Sequence, residues 1–230
     1  MKQQYNHLFI VLDFIIVLSL LIFMTGADLH LARFVVGSNN QWPGLQHEPW
    51  IFIYTMAPVP GFLLATSAIL VLCIGFFYSC LKKYRRQALF IILLLALGPG
   101  LLINVVLKNH LGRPRPQELK EFGGTRNFVQ FWQPGPMKKN SSFPSGHASI
   151  AFFLMAPWFI YRRRKHNLAI FFLWGGTLFG VLVGMTRIMQ GGHFLSDVLW
   201  AGGLVYMTGE LLSWVLLPVD SSRGKEVQQT

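Results

Sequence analysis

Apolar residues fall in long blocks along this chain, separated by short polar and basic stretches. About 20 apolar residues suffice to cross a bilayer as a helix. The first block is about Leu8–Thr25. It follows Lys2 and has some features of a secretion signal, but its apolar stretch is long for one, so it reads as an uncleaved first span. Residues Gly26–Trp50 read as a polar connection containing Trp and Pro. Ile51–Pro60 is apolar but interrupted by Pro58 and Pro60; it is either interfacial or the start of a second span that reaches about Cys80. The third span is about Ala88–Leu107. Within it Gly98-Pro99-Gly100 predicts a kink and close helix contact. The longest polar loop, Lys108–Pro144, follows. A short fourth span covers about His147–Tyr161, a fifth about Leu168–Met185 and a sixth about Phe194–Leu217. The tail Val219–Thr230 is polar and reads as disordered. The pattern predicts an all-α, polytopic membrane bundle of about six transmembrane helices, with residues 1–230 as one integral-membrane domain.

Composition supports this reading. The chain has 230 residues, 53% hydrophobic and 13% charged, with mean hydropathy +0.45. A soluble domain carries about 25% charged residues. The formal charge is +11. It sits in short loops between apolar blocks, so it speaks of membrane orientation and an anionic ligand, not of nucleic acid. Cys73 and Cys80 share one apolar segment and read as small packing residues, with no disulfide framework and no metal cluster. Asp13 lies inside the first span. A carboxylate there is costly and needs a partner or a role, unless it is neutral or near an interface. The sequence names no partner for it.

Charge also orients the spans. With the N-terminus inside, the basic clusters Lys82–Arg86 and Arg162–His166 both fall inside, as the positive-inside tendency asks. The loops Lys108–Pro144 and Arg187–Gly192 then fall outside, and they are basic too. An anionic ligand on that face would account for the exception. Phe122, Phe128, Phe131 and Trp132 of the long loop are candidates for the membrane interface.

Three polar stretches meet that outer face. The first is Lys108-Asn-His-Leu-Gly-Arg-Pro-Arg115-Pro116. The second is Pro144-Ser145-Gly146-His147, where a loop gives way to an apolar run. Ser145 is a helix N-cap candidate, and Gly146 lets backbone approach a ligand. Free N–H groups in a first helical turn suit phosphate, and His147 can move a proton near neutral pH. The third stretch is Thr186-Arg187, then His193, then Asp197. His193 and Asp197 are four apart, so a helix sets them on one face. The carboxylate can then hold one imidazole nitrogen and leave the other free as a nucleophile. Arg187 and Arg115 are fork-shaped donors for phosphoryl oxygens, and Lys108 adds a point charge. Each piece has an ordinary reading alone: a snorkelling lysine, an Arg-Pro loop, a Pro-Ser-Gly turn, a polar helix start. Their convergence on one side, in one order, weakens those readings together.

Lys108 with six residues to Arg115-Pro116, then Pro144–His147, then Arg187 with five residues to His193 and three to Asp197, resembles the three-part signature of the type 2 phosphatidic acid phosphatase superfamily. Membrane lipid phosphatases, glucose-6-phosphatase and vanadium haloperoxidases belong to that superfamily. The resemblance covers about Leu97–Val198, roughly half of the chain. Thr186 stands where the family usually has Ser and keeps the hydroxyl. Arg113-Pro114 is a second Arg-Pro pair, but only Arg115 has the family spacing.

The resemblance implies an enzyme: a metal-independent, cofactor-free phosphoric monoester hydrolase in a membrane. His193 would attack phosphorus and form a phosphohistidine, Asp197 would orient it, and His147 would protonate the leaving oxygen. Lys108, Arg115, Arg187, the Ser145 hydroxyl and the Gly146 amide would hold the phosphate. The stretches Leu97–Pro116 and Asn140–Pro144 most resemble the bacterial lipid A phosphatase branch. That implies a lipid A phosphate as substrate, on the periplasmic face of a bacterial inner membrane. Lys120, Arg126, Lys138 and Lys139 would suit a headgroup with several anionic groups, or only contact anionic lipid. Undecaprenyl diphosphate and phosphatidylglycerol phosphate are alternative substrates. A lipid-binding or transport protein is the reading from another class. Transporters more often show repeat symmetry and broken helices; Gly98-Pro99-Gly100 is a break, but no repeat is visible.

Overall fold

The computed structural model describes residues 2–37, 40–136 and 140–217, with side chains from His7 onward. Lys138, Lys139 and the tail after Leu217 lie outside the described residues. The chain forms α1 (Lys2–Thr25), α2 (Ala27–Val35), α3 (Trp50–Met56), α4 (Pro58–Phe77), the short α5 (Ser79–Lys82) and α6 (Arg85–Leu95). A π-helical stretch, Ala96–Leu107, carries α6 into the single turn α7 (Lys108–Leu111). Then come α8 (Gly146–Phe152), α9 (Ala156–Tyr161), α10 (His166–Met189) and α11 (Leu195–Leu216). Among the described residues the only β pairing is a bridge between Leu119 and Arg126.

Among the described residues, five helical segments are long and apolar enough to cross a membrane: His7–Thr25, Trp50–Phe77, Arg85–Glu118, His166–Met189 and Leu195–Leu216. Their outward faces are apolar, with Ile10, Phe14, Leu63, Phe171 and Leu178 all well exposed, as a lipid-facing surface requires. The chain is a multi-pass membrane protein. The fourth predicted span, Gly146–Tyr161, is short, as its apolar run implied. At 1.5 Å per residue it reaches about 24 Å, against roughly 30 Å of hydrocarbon. It is packed within the bundle against α4, α6, α10 and α11, so it has no need to cross by itself.

Small residues let these helices close on one another. Gly176, Gly180 and Gly184 recur every fourth residue on α10. A side chain at Gly176 would strike the backbone of Leu154 and Met155, one at Gly180 the Phe152 ring, and one at Gly184 the Val198 side chain. This is the small-residue stripe by which membrane helices approach closely. The core between them holds Phe90, Leu94, Phe153, Phe159, Ala201 and Val205.

Several expectations need correction. The Gly26–Trp50 connection contains α2, whose buried Asp28 points into the bundle. Pro58 sits in the first turn of α4, where it costs no helical hydrogen bond, so α3 and α4 run on as one span. Arg187 is not in a loop: α10 continues to Met189 and Arg187 is in its last turn. The predicted kink at Gly98-Pro99-Gly100 takes the form of the π-helical stretch around Pro99. Phe122 is not interfacial; it is buried against Trp42 at 5.5 Å between ring centroids, because the long loop folds a small core against α2. Phe131 stacks on Phe143, and Trp132 alone of the four aromatics is exposed. Cys73 and Cys80 are free and exposed, so they do not pack the core. Asp13 is exposed on α1.

Candidate active site

The site forms where α8, the end of α10, the start of α11 and the turn α7 come together. Ser145 caps α8: its hydroxyl accepts the Ala148 N–H at 3.4 Å, as expected of an N-cap. Its own N–H donates to the Asp197 carbonyl at 3.2 Å, which ties α8 to α11. A side chain on Gly146 would come within 3.1 Å of Lys108 Nζ and would collide with Asn104, so only glycine leaves the lysine room. The Asn104 amide is itself fixed by donating to the Pro99 carbonyl at 2.7 Å, a carbonyl inside the π-helical stretch. The irregular helix thus helps aim Lys108 at the start of α8.

His193 stands in the tight turn between α10 and α11. Gly191, at φ +62°, makes that turn and packs against the Trp42 ring. His193 and Asp197 are both buried. Asp197 is three residues past Phe194, and its Oδ2 accepts the Phe194 N–H at 2.8 Å, capping α11. The same oxygen lies 3.6 Å from His193 Nδ1, just beyond hydrogen-bond length. Burial pushes the His193 imidazole down to about 4, against the opposing pull of Asp197. The ring is therefore neutral at ordinary pH, the form that can attack an electrophile.

Cations surround this pair. Lys108 and Arg187 both act electrostatically on His193, and Lys108, Arg115 and Arg187 all act on His147. Arg187 is held from behind: Nη1 donates to Gln190 Oε1, whose amide donates to the Gly44 carbonyl at 3.1 Å. The Arg187 guanidinium lies 4.7 Å from the Tyr54 ring, and the same ring lies 4.6 Å from the His147 imidazole. Tyr54 thus braces two of the predicted residues from α3. A cavity of about 370 Å³ opens beside them, lined by Ile51, Tyr54, Arg115, Gln117, Arg187 and Gln190. Among the described residues, Arg187 Nε and His193 Nδ1 are buried without a hydrogen-bond partner.

All eight predicted site residues are therefore gathered in one place. The arrangement offers a neutral imidazole, a second imidazole and three cations, which together suit a tetrahedral anion. Sequence reasoning missed Asp28, Tyr54, Gln190 and Ser196, and set Arg113 aside. Tyr54 lies in an apolar run and carries no signal. Asp28 had one: the chain has only nine acidic residues, so each buried one asks for a partner.

Comparison with known proteins places this geometry. Residues 87–219 match the PAP2 superfamily. A lipid A 4'-phosphatase of Francisella tularensis subsp. novicida (strain U112) is 39% identical over 135 residues, 58% of each chain. Phosphatidylglycerophosphatase B of Bacillus subtilis (strain 168) is 31% identical over 147 residues, 60% of this chain and 61% of that one. The chain thus spans about three-fifths of the length of these curated relatives. The crystal structure of a transmembrane PAP2-type phosphatidylglycerolphosphate phosphatase from Bacillus subtilis superposes with TM-score 0.60 at 21% identity, over 96% of this chain and 99% of that chain. That likeness shows the shared fold.

Proposed function

This chain belongs to the PAP2 superfamily, and from that premise we propose that it is a membrane lipid phosphatase acting on lipid A or its precursor through a phosphohistidine. The observation that carries the proposal is the buried, neutral His193 beside Asp197, with Lys108 and Arg187 acting on it and Arg115 joining them around His147. With its Nδ1 proton toward Asp197, His193 has the Nε2 lone pair free for phosphorus. Attack forms the N–P bond and breaks the ester P–O bond. His147 supplies the proton to the departing oxygen. The three cations, the Ser145 hydroxyl and the Gly146 amide take the charge of the transferring phosphoryl group. Water then cleaves the N–P bond and releases phosphate. No step in this scheme calls on a metal or a cofactor.

The lipid A substrate is favoured by the Francisella relative, which is named for that activity. The site then faces the periplasm from the bacterial inner membrane, and the chain works as one integral-membrane phosphatase domain. The Bacillus relative favours phosphatidylglycerol phosphate as a second reading. Phosphate release in detergent with EDTA, with lipid A, phosphatidylglycerol phosphate and undecaprenyl diphosphate offered side by side, separates them. Release from lipid A, with a product lighter by one phosphate, is expected. Release from phosphatidylglycerol phosphate alone would establish the second reading. Release from none of the three by folded protein would overturn the assignment.

A further inference from the structure

Behind Asp197, on the side away from His193, lies a buried ion cluster that the reaction scheme does not use. Its centre is Arg113, fully shielded from solvent. Each nitrogen of this guanidinium donates. Nε donates to the Val129 carbonyl at 3.0 Å, Nη1 to Asp197 Oδ1 at 2.5 Å and to Ser196 Oγ at 2.8 Å, and Nη2 to Asp28 Oδ2 at 2.8 Å. The Phe194 and Phe128 rings stand 4.2 Å and 5.3 Å from its Cζ. Asp28 in turn accepts the Ser196 N–H at 2.9 Å and the Ser196 hydroxyl at 2.6 Å. Three separate parts of the chain, α2, the loop after α7 and the start of α11, therefore close on one guanidinium.

We propose that Arg113, with Asp28 as its counter-ion, is the positioning group for the Asp197 carboxylate. The proposal rests on the reading of His193 and Asp197 as the reacting pair. Asp197 has two oxygens. Arg113 takes Oδ1, the Phe194 N–H takes Oδ2, and the plane so fixed presents Oδ2 to His193. An arginine facing Asp197 alone would draw off the negative charge that polarises the imidazole. Asp28 offsets it: two carboxylates share one guanidinium, so the cluster keeps a net negative charge toward His193. A lysine cannot replace this fork, because a point charge cannot span two carboxylates and a hydroxyl in one plane. Asp28 lies outside residues 87–219, so the family match does not account for it. It makes α2, on the far side of the chain from the signature, part of the site.

The test uses Arg113→Lys and Asp28→Asn in the full-length protein, each with and without Asp197→Asn. Arg113→Lys and Asp28→Asn keep a polar side chain in the cluster; Asp28→Asn is nearly isosteric and keeps one oxygen to accept from Ser196. The readouts are kcat and KM on the lipid that the wild type cleaves best, per folded protein by gel filtration. A second readout is the histidine ¹⁵N spectrum, which reports the His193 tautomer without needing turnover. Misplaced catalytic groups cost on the order of 10²-fold. Arg113→Lys should lower kcat by about that factor and Asp28→Asn by about tenfold. KM should stay within about twofold and the His193 tautomers should mix. In the Asp197→Asn background both effects should shrink to within about twofold, since the residues act through Asp197. Unchanged kcat with an unchanged His193 spectrum would overturn the proposal. So would equal losses with and without Asp197→Asn, which mark a purely structural role. If the wild type cleaves no lipid yet the His193 spectrum responds, the functional reading fails and the positioning role stands.

Discussion

Helix α11 carries a buried carboxylate near each end, and the two are treated differently. Glu210, toward the C-terminal end, accepts both Nη groups of Arg162 and the Trp214 indole N–H. Arg162 also donates to the Ser213 hydroxyl. Each charge there is matched, and the cluster ties α9 to α11. At the other end Asp197 is matched on one side by Arg113, but on its open side it faces a histidine that remains unpaired. Arg187 Nε is unpaired there too. Burying a polar group without a partner is costly, so the chain tolerates the bare Arg187 Nε where a ligand completes the set, while His193 Nδ1 is turned to Asp197 and leaves Nε2 for the ligand. The difference separates a staple from a site: the Glu210 cluster is closed and the Asp197 cluster has room for an anion.

Substitutions can break the comparison at either end. The largest effect belongs to the Asp197 end. His193→Ala should abolish phosphate release, and Asp197→Asn should lower kcat by about 10⁴-fold, as loss of a carboxylate behind a histidine does elsewhere. Full activity of a folded His193→Ala protein would sink the mechanism. At the Glu210 end Arg162→Ala strands Glu210 as an uncompensated buried charge, which costs about 3–5 kcal/mol of stability. Thermal unfolding in detergent should show that loss, while kcat of the folded fraction stays near wild type. A selective loss of kcat would mean that the two ends are not separable.

Smaller changes sharpen the contrast. Tyr54→Leu removes the ring shared by His147 and Arg187 and should lower kcat/KM about tenfold, whereas Tyr54→Phe keeps the ring and should change it less than twofold. Equal losses in both would assign the role to the hydroxyl instead. The smallest effect concerns pH. His193 is pushed from its ordinary 6.5 to about 4 in the folded protein. Between those values the unfolded chain binds the proton more readily, so stability should fall as pH drops from about 6.5 toward about 4, with no further loss from this group below that. Histidine NMR at pH 6 should find His193 neutral; a resonance titrating near 6.5 would contradict the burial argument.

Most of the site could be read from the sequence because its parts are local. Lys108 and Arg115, Ser145 to His147, and His193 with Asp197 each sit within one short stretch, so nearness in sequence brings each group together, although His193 stands in the turn before α11 and not on the helix face that its spacing to Asp197 predicted. What could not be read comes from distant contacts. Asp28 meets Ser196 across 168 residues, and no periodic pattern reports such a pairing. Arg113 was visible as half of a doubled Arg-Pro pair, but spacing could not tell which arginine turns to the carboxylate. In the structure it is Arg113, while Arg115 reaches the cavity. The fold was legible where hydrophobic runs were long. The short run Gly146–Tyr161 was legible too, as a helix below full spanning length. The reading failed in the long loop, where Phe122 found a protein core instead of the lipid interface.

The central claim is that His193 carries the phosphoryl group. The direct measurement is an alkaline quench during turnover of the cleaved lipid, followed by peptide mass spectrometry. A phosphoryl group on His193, absent from the His193→Ala protein, is the expected result. A phosphoryl group on His147 or on any other residue would contradict it.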